Sequence, residues 1–303
     1  MNRSWLPYAV LGTGVLAVSW AAILVRGADA PALIIASYRL GLAALPVGAL
    51  ALYQQRRAPE PWSTAATWPL LLSAALLAAH FGFWISSLQR TSVVTAVVLM
   101  AAQPLFVALV SPLLLREAVD RRVWLALVVA TAGALTMAAE DLGEGLGTIA
   151  GDAFALLGGL FAAGYIVVGR WARPTTSWVR YVGVIYPTTA LLLFAATLLA
   201  GDPLTGYSTK TYVMIALLAL GPQLIGHSAI NWSLAYLPAV VVAMAILVEP
   251  VGSTVLAALI LDEPPSAIEG VGGALVLAGV YLALRPERQT AAKAPPAIDV
   301  ETA

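Results

Sequence analysis

Ten apolar runs of about twenty residues, each long enough to cross a bilayer core of roughly 30 Å, fill most of this sequence. They are Trp5–Val25, Pro31–Tyr53, Thr67–Leu88, Thr91–Leu115, Val123–Ala139, Ile149–Trp171, Trp178–Ala200, Tyr212–Leu234, Pro238–Leu261 and Ala267–Leu284. The connections between them are short, so no soluble domain fits in the gaps. Hydrophobic residues make up 60% of the chain and charged ones 11%, against about 45–50% and about 25% in soluble globules. The expected fold is therefore an all-α polytopic membrane protein, with the lipid bilayer as its first partner. Net charge is zero and no basic cluster stands out, which leaves no place for nucleic acid. With no cysteine, disulfides and thiolate metal sites are excluded.

The N-terminus carries Arg3, an apolar stretch and Ala28-Asp29-Ala30, as a signal peptide would. The stretch exceeds an h-region of about 7–15 residues, so it is read as the first span. Orientation follows from lysine and arginine placement. With the N-terminus inside, one face receives Arg3, Arg56, Arg57, Arg116, Arg121, Arg122, Arg170, Arg173, Arg180, Arg285, Arg288 and Lys293, and the other only Arg26, Arg90 and Lys210. Both termini are expected to be cytoplasmic. The tail 286–303 is polar and rich in alanine and proline, and is expected to be disordered.

The sequence is written twice. Gln103-Pro104 recurs as Glu249-Pro250, Arg116-Glu117 as Asp262-Glu263 and Ala132-Gly133 as Ala278-Gly279, each 146 residues on. Matches at one fixed shift signal an internal repeat. The expected units are residues 1–145 and 146–285, with five spans each. Five is odd, so the second copy enters the membrane upside down. Two inverted five-helix repeats are a secondary-transporter architecture, with the substrate near the midplane between the copies.

These features resemble the drug/metabolite transporter superfamily in its EamA-type ten-helix branch, over about residues 5–285. The two five-span copies carry the resemblance, with the mid-helix prolines Pro104 and Pro250 and the closing acids Glu117 and Glu263. Within the branch the chain looks most like YddG-type exporters of aromatic and other amino acids. The resemblance implies alternating-access export of a small metabolite across the cell inner membrane, with no cofactor and no catalysis. The first copy departs from the second in having Gln103 where the second has Glu249.

Ionisable groups inside spans are functional candidates by default. Four lie there: Arg39, His80, His227 and Glu249; Asp152 sits too near a helix start to count. Gln103 and Glu249 are each half-way along a span and each precedes a proline. Proline lacks an N–H and crowds the carbonyl four residues earlier. Such a break survives where protein buries it or where it lines a wet cavity. The pairs therefore read either as hinges, through Pro104 and Pro250, or as substrate or proton contacts.

His80 and Trp84, at i and i+4, share a helix face. Gln223, His227 and Asn231 repeat the spacing on the eighth span. His80 and Trp84 are expected in the outer half of the membrane and His227 and Asn231 in the inner half, lining two vestibules or bonding between helices. That difference in depth argues against a metal site. Arg39 lies about 12 Å below the outer face, where it either snorkels outward or attracts a carboxylate. Trp20, Tyr38 and Tyr165 complete the candidate substrate-binding set. One cation within the spans is too few for phosphorylated substrates.

Small residues recur every fourth position at Ala126, Ala130, Ala134 and Ala138, and at Gly270, Ala274 and Ala278. This spacing lets helices approach closely, so the fifth and tenth spans are expected to pack together. A monomer is the expectation, with a dimer face as the alternative. Export of organic cations, held by Glu249 and aromatic rings, is the second functional reading. A channel is the third. No paired nucleophile and base or metal-ligand cluster calls for an enzyme.

Overall fold

The computed structural model describes residues 5–59, 64–90, 96, 99–137, 149–260 and 264–285, of which 64–66 as backbone alone. Every regular element among them is helical. In chain order they are α1 (Leu6–Val18), α2 (Ala21–Gly27), α3 (Ala32–Arg57), α4 (Thr64–Leu88), α5 (Gln103–Leu114), α6 (Arg121–Met137), α7 (Ile149–Ala172), α8 (Trp178–Ala200) and α9 (Thr209–Leu218). A π-helical segment, Ala219–His227, leads into α10 (Ser228–Ser233), followed by α11 (Ala239–Ile246), α12 (Val248–Ile260) and α13 (Ala267–Leu284). Among the described residues eight helical units are long and apolar enough to cross a membrane, and α5 is a shorter apolar helix.

The pairing of helices shows the inversion. The second span of each copy, α3 and α8, lie antiparallel. At one end Tyr38 Oη donates to the Leu204 carbonyl at 2.8 Å. At the other, Arg57 and Ala58 border Ser177 and Arg180. The two last spans of the copies, α6 and α13, also cross antiparallel, with Gly133 against Gly272 and Ala126 against Gly279. A Cβ on Gly272 would stand 2.6 Å from the Gly133 carbonyl oxygen, and one on Gly279 2.7 Å from that of Ala126. Only glycine permits that approach. The expected α6 residues Ala126, Ala130 and Ala134 are buried. On α13 the expected register is wrong: Gly270, Ala274 and Ala278 face outward, and the buried positions are Gly272, Gly273, Val276, Gly279, Val280 and Ala283. Glycine outranks alanine in setting the contact because it removes the last carbon between backbones. Ala138 and Glu263 lie outside the described residues, as does the tail 286–303.

Among the described residues three of the apolar spans are broken within their length. The ninth span stops at Ile246, turns at Leu247 and resumes as α12 at Val248. Ile246 is the residue four before Pro250, whose carbonyl that proline deprives of a donor. The fourth span is helical at Met100, turns at Ala101–Ala102 and resumes at Gln103, and Met100 is likewise four before Pro104. The expected break thus occurs in both copies at equivalent residues. The third break, at Ser19–Trp20 between α1 and α2, has no proline to announce it. Ser19 Oγ donates back to Val15 O at 2.9 Å, and Ser253 Oγ of α12 donates to Ser19 O at 2.8 Å. Gly252 lies against Ser19 so closely that a Cβ would not fit.

Candidate functional site

The three breaks converge on one cavity. Val18 and Ala21 bring the α1–α2 break to it, Met100 and Ala101 the fourth span, and Ile246 and Leu247 the ninth. Irregular backbone at membrane depth is tolerated where it lines a cavity within protein, and here the cavity lies between the two copies. Its polar lining comes from Arg39, His80, Gln103, Tyr165, His227, Glu249 and Ser253, and its apolar wall includes Phe81, Trp84 and Pro250. Gln103 and Glu249, the residues before the two hinge prolines, therefore meet in one site. Pro104 is buried beside Gln103 but is not among the lining residues.

The depth assignment of the two histidines needs correction. His80 and His227 line the same cavity, and the Phe81 ring stands edge-on to His227 with centroids 5.2 Å apart. Packing of the two copies, not position along either span, sets which of these rings meet. His80 Nδ1 donates to the Gly158 carbonyl at 3.0 Å. That carbonyl is reachable because Gly158 lets α7 press against the Trp84 backbone. The His80 ring stacks on Trp84 at 6.1 Å with planes 11° apart, so the shared face is real.

Arg39 does not snorkel. It is 1% exposed, and its Nε donates to Gln223 Oε1 at 2.9 Å. Its guanidinium lies 4.3 Å from the centre of the Phe81 ring, a cation–π contact. Arg39 Nη1, Gln223 Nε2 and His227 Nδ1 are buried without a hydrogen-bond partner among the described residues. Each such group costs about 1–3 kcal/mol, and three together demand a reason. Glu249 is the carboxylate on the same cavity lining. Yet no ion pair within 4.0 Å joins Arg39 to Glu249 among the described residues; such a pair is made by Arg170 and Glu117. The cation and the anion thus line one cavity without an ion pair between them.

Asn231 stands behind this wall. It accepts from Tyr165 Oη at 2.5 Å and donates to Tyr186 Oη at 3.4 Å. It thereby fixes Tyr165 but does not line the cavity. Trp20 and Tyr38 are also not brought to it. Trp20, at the α1–α2 break, is 43% exposed. Tyr38 neighbours Arg39 in sequence, so its side chain leaves the helix on another face and packs on Phe194 and Tyr212. Sequence reasoning missed Phe81, the face on which Arg39 rests, although it sits between the candidates in His80-Phe81-Gly82. It also missed the π-helical turn carrying Gln223 and His227, whose signal was Pro222 within the span. Single π-type turns recur at functional sites.

On the arginine-rich side a second polar knot joins the copies. Arg170 Nε donates to Glu117 Oε1 at 2.6 Å, and its Nη1 to Leu234 O at 3.0 Å. Glu117 Oε2 accepts from Ala239 N at 3.1 Å, placing a carboxylate at the α11 N-terminus where the helix dipole favours it. Arg173 Nε donates to Asn231 O at 2.9 Å. Among the described residues there is no group of three or more His, Asp or Glu placed to hold a metal ion.

Comparison with known proteins places this arrangement. A WAT1-related chloroplastic protein of Arabidopsis thaliana is 27% identical over 268 residues. The match covers 84% of this chain and 63% of that protein, so the chain spans less than two thirds of its relative. A solved crystal structure shares the fold with a TM-score of 0.75 at 19% identity, over 92% of this chain and 96% of the other. The EamA-like transporter family matches twice, at residues 3–139 and 149–285. Covered almost throughout by two copies of that pattern, the chain belongs to the EamA-like transporter family of the drug/metabolite transporter superfamily.

Proposed function

We propose that this transporter exports amino acids, aromatic ones among them, and related small metabolites across the inner membrane by alternating access. The observation that carries the reading is the pair Arg39 and Glu249, one from each copy, lining one cavity without closing an ion pair. A ligand with one carboxylate and one ammonium neutralises both at the pivot of the two copies. His80, Trp84 and Tyr165 supply the flat surfaces on which an apolar or aromatic side chain rests. Rocking of one copy against the other around a fixed midplane site is how inverted repeats exchange access, and the breaks at Leu247 and Ala101–Ala102 lie at that site.

Extrusion of organic cations is the second reading, supported by Glu249 beside aromatic rings. Counterflow in proteoliposomes separates the two. Preloaded unlabelled phenylalanine drives uptake of labelled phenylalanine if the first is right, and quaternary ammonium compounds do not compete. Counterflow with the ammonium compounds alone replaces the first reading with the second. An equal, gradient-driven leak of both solutes without counterflow points to a channel.

A further inference from the structure

Resting on the reading above, we infer that Arg39 is the residue by which the cavity selects substrates with a free carboxylate, and that Gln223 and Phe81 position it. The guanidinium has five N–H donors in a rigid plane. Gln223 takes the one on Nε, and Phe81 covers one face of the plane. These two contacts fix both the direction and the tilt of the fork. Nη1, with no acceptor among the described residues, is the edge left to a ligand lining the same cavity. His227 Nδ1 is a second unpartnered nitrogen on that lining. The Phe81 ring touches both side chains, with Arg39 over its face and His227 in a T-shaped contact, so the two residues share one corner of the cavity. A carboxylate has two acceptor oxygens and suits such a corner; an ammonium has no acceptor for it.

The corner is built from both copies. Arg39 and Phe81 come from the first, Gln223 and His227 from the second, the latter pair four residues apart on the π-helical turn. Glu249, on the same lining, is left for the substrate's ammonium. The bound substrate is thus oriented with its carboxylate on Arg39 and its side chain toward His80 and Trp84.

The test measures binding to the purified full chain in lipid nanodiscs, with four probes of one shape. These are phenylalanine, its amide, phenethylamine and 3-phenylpropionate. Wild type is expected to bind phenylalanine ten- to a hundred-fold more tightly than the amide or the amine, the range of a charge-assisted hydrogen bond. Arg39→Gln is expected to bring phenylalanine and its amide within about threefold. Should that variant fail to fold, Arg39→Lys and Gln223→Leu carry the test. Both are expected to weaken phenylalanine and 3-phenylpropionate roughly tenfold and to leave phenethylamine unchanged. Wild-type preference for the carboxylate probes in whichever of the three variants fold overturns the inference. Tight wild-type binding of 3-phenylpropionate without binding of phenylalanine upholds Arg39 and rejects the amino-acid reading. Tight binding of phenethylamine alone rejects both.

Discussion

Under the proposed reading Glu249 and Trp84 act on opposite ends of a ligand, and each makes a separate prediction. A carboxylate facing lipid at mid-helix costs about 2.5–3.5 kcal/mol on insertion scales; Glu249 avoids this by lining the cavity. Glu249→Gln keeps shape and hydrogen-bonding capacity and removes the charge. Insertion and thermal stability are expected to stay at wild-type level, while counterflow of ammonium-bearing substrates falls about tenfold or more. Unchanged flux would reduce Glu249 to part of the bend at Pro250. Trp84 is 7% exposed and stacked on His80. Trp84→Ala is expected to weaken aromatic substrates by about 0.5–1.5 kcal/mol more than alanine or serine, read as the ratio of their competition constants. Equal loss for all, in step with protein abundance, would make the ring a packing element only.

At the scale of helices, the breaks and the close crossings have different tasks. Pro250 leaves the Ile246 carbonyl without its helical donor, and the ninth span turns at Leu247. Pro250→Ala restores the N–H and favours a continuous helix by about 3 kcal/mol. Correct insertion with at least a tenfold loss of transport is expected, measured by counterflow on quantified protein. The α6–α13 crossing is scaffold. Gly272→Leu drives a side chain into the Gly133 carbonyl and is expected to destabilise by about 1–3 kcal/mol, seen as a lower unfolding temperature in detergent. Gly270 has nothing within 4 Å of a would-be Cβ, so Gly270→Leu is the matched control and should leave that temperature unchanged.

Over the whole molecule, two copies of one pattern lie upside down to each other. Ala58, just after α3, and Thr205, after α8, occupy nearly equivalent places in the copies, and both are exposed. The chain has no cysteine of its own, so single cysteines can be introduced at each. In intact cells an impermeant thiol reagent is expected to label position 205 and to spare position 58, which joins it only after the membrane is opened. Labelling of position 58 first would reverse the orientation drawn from the arginine bias. Labelling of both would contradict the antiparallel packing of α3 and α8.

The sequence by itself determined the membrane setting, the repeat and the two proline breaks, because each rests on short-range chemistry. Hydropathy reads span by span, a fixed shift of 146 reads along the chain, and a proline deprives the carbonyl four residues before it wherever it stands. It also marked Arg39, His80, His227, Gln103 and Glu249, since charge and amide are rare inside spans. Only the tertiary structure decided which of them meet. Depth counted along single helices put His80 and His227 in different halves, whereas packing of the copies brings both to one cavity. The break at Ser19 depends on Ser253 and Gly252, far off in sequence. The α13 contact face was set by glycine backbones meeting across the bundle, a distance no spacing rule contains. Arg39 and Tyr38 are adjacent in the chain, yet one was turned into the cavity and the other onto Phe194. Which side of a helix faces a partner is fixed by all its neighbours at once, and that information is spread over both copies.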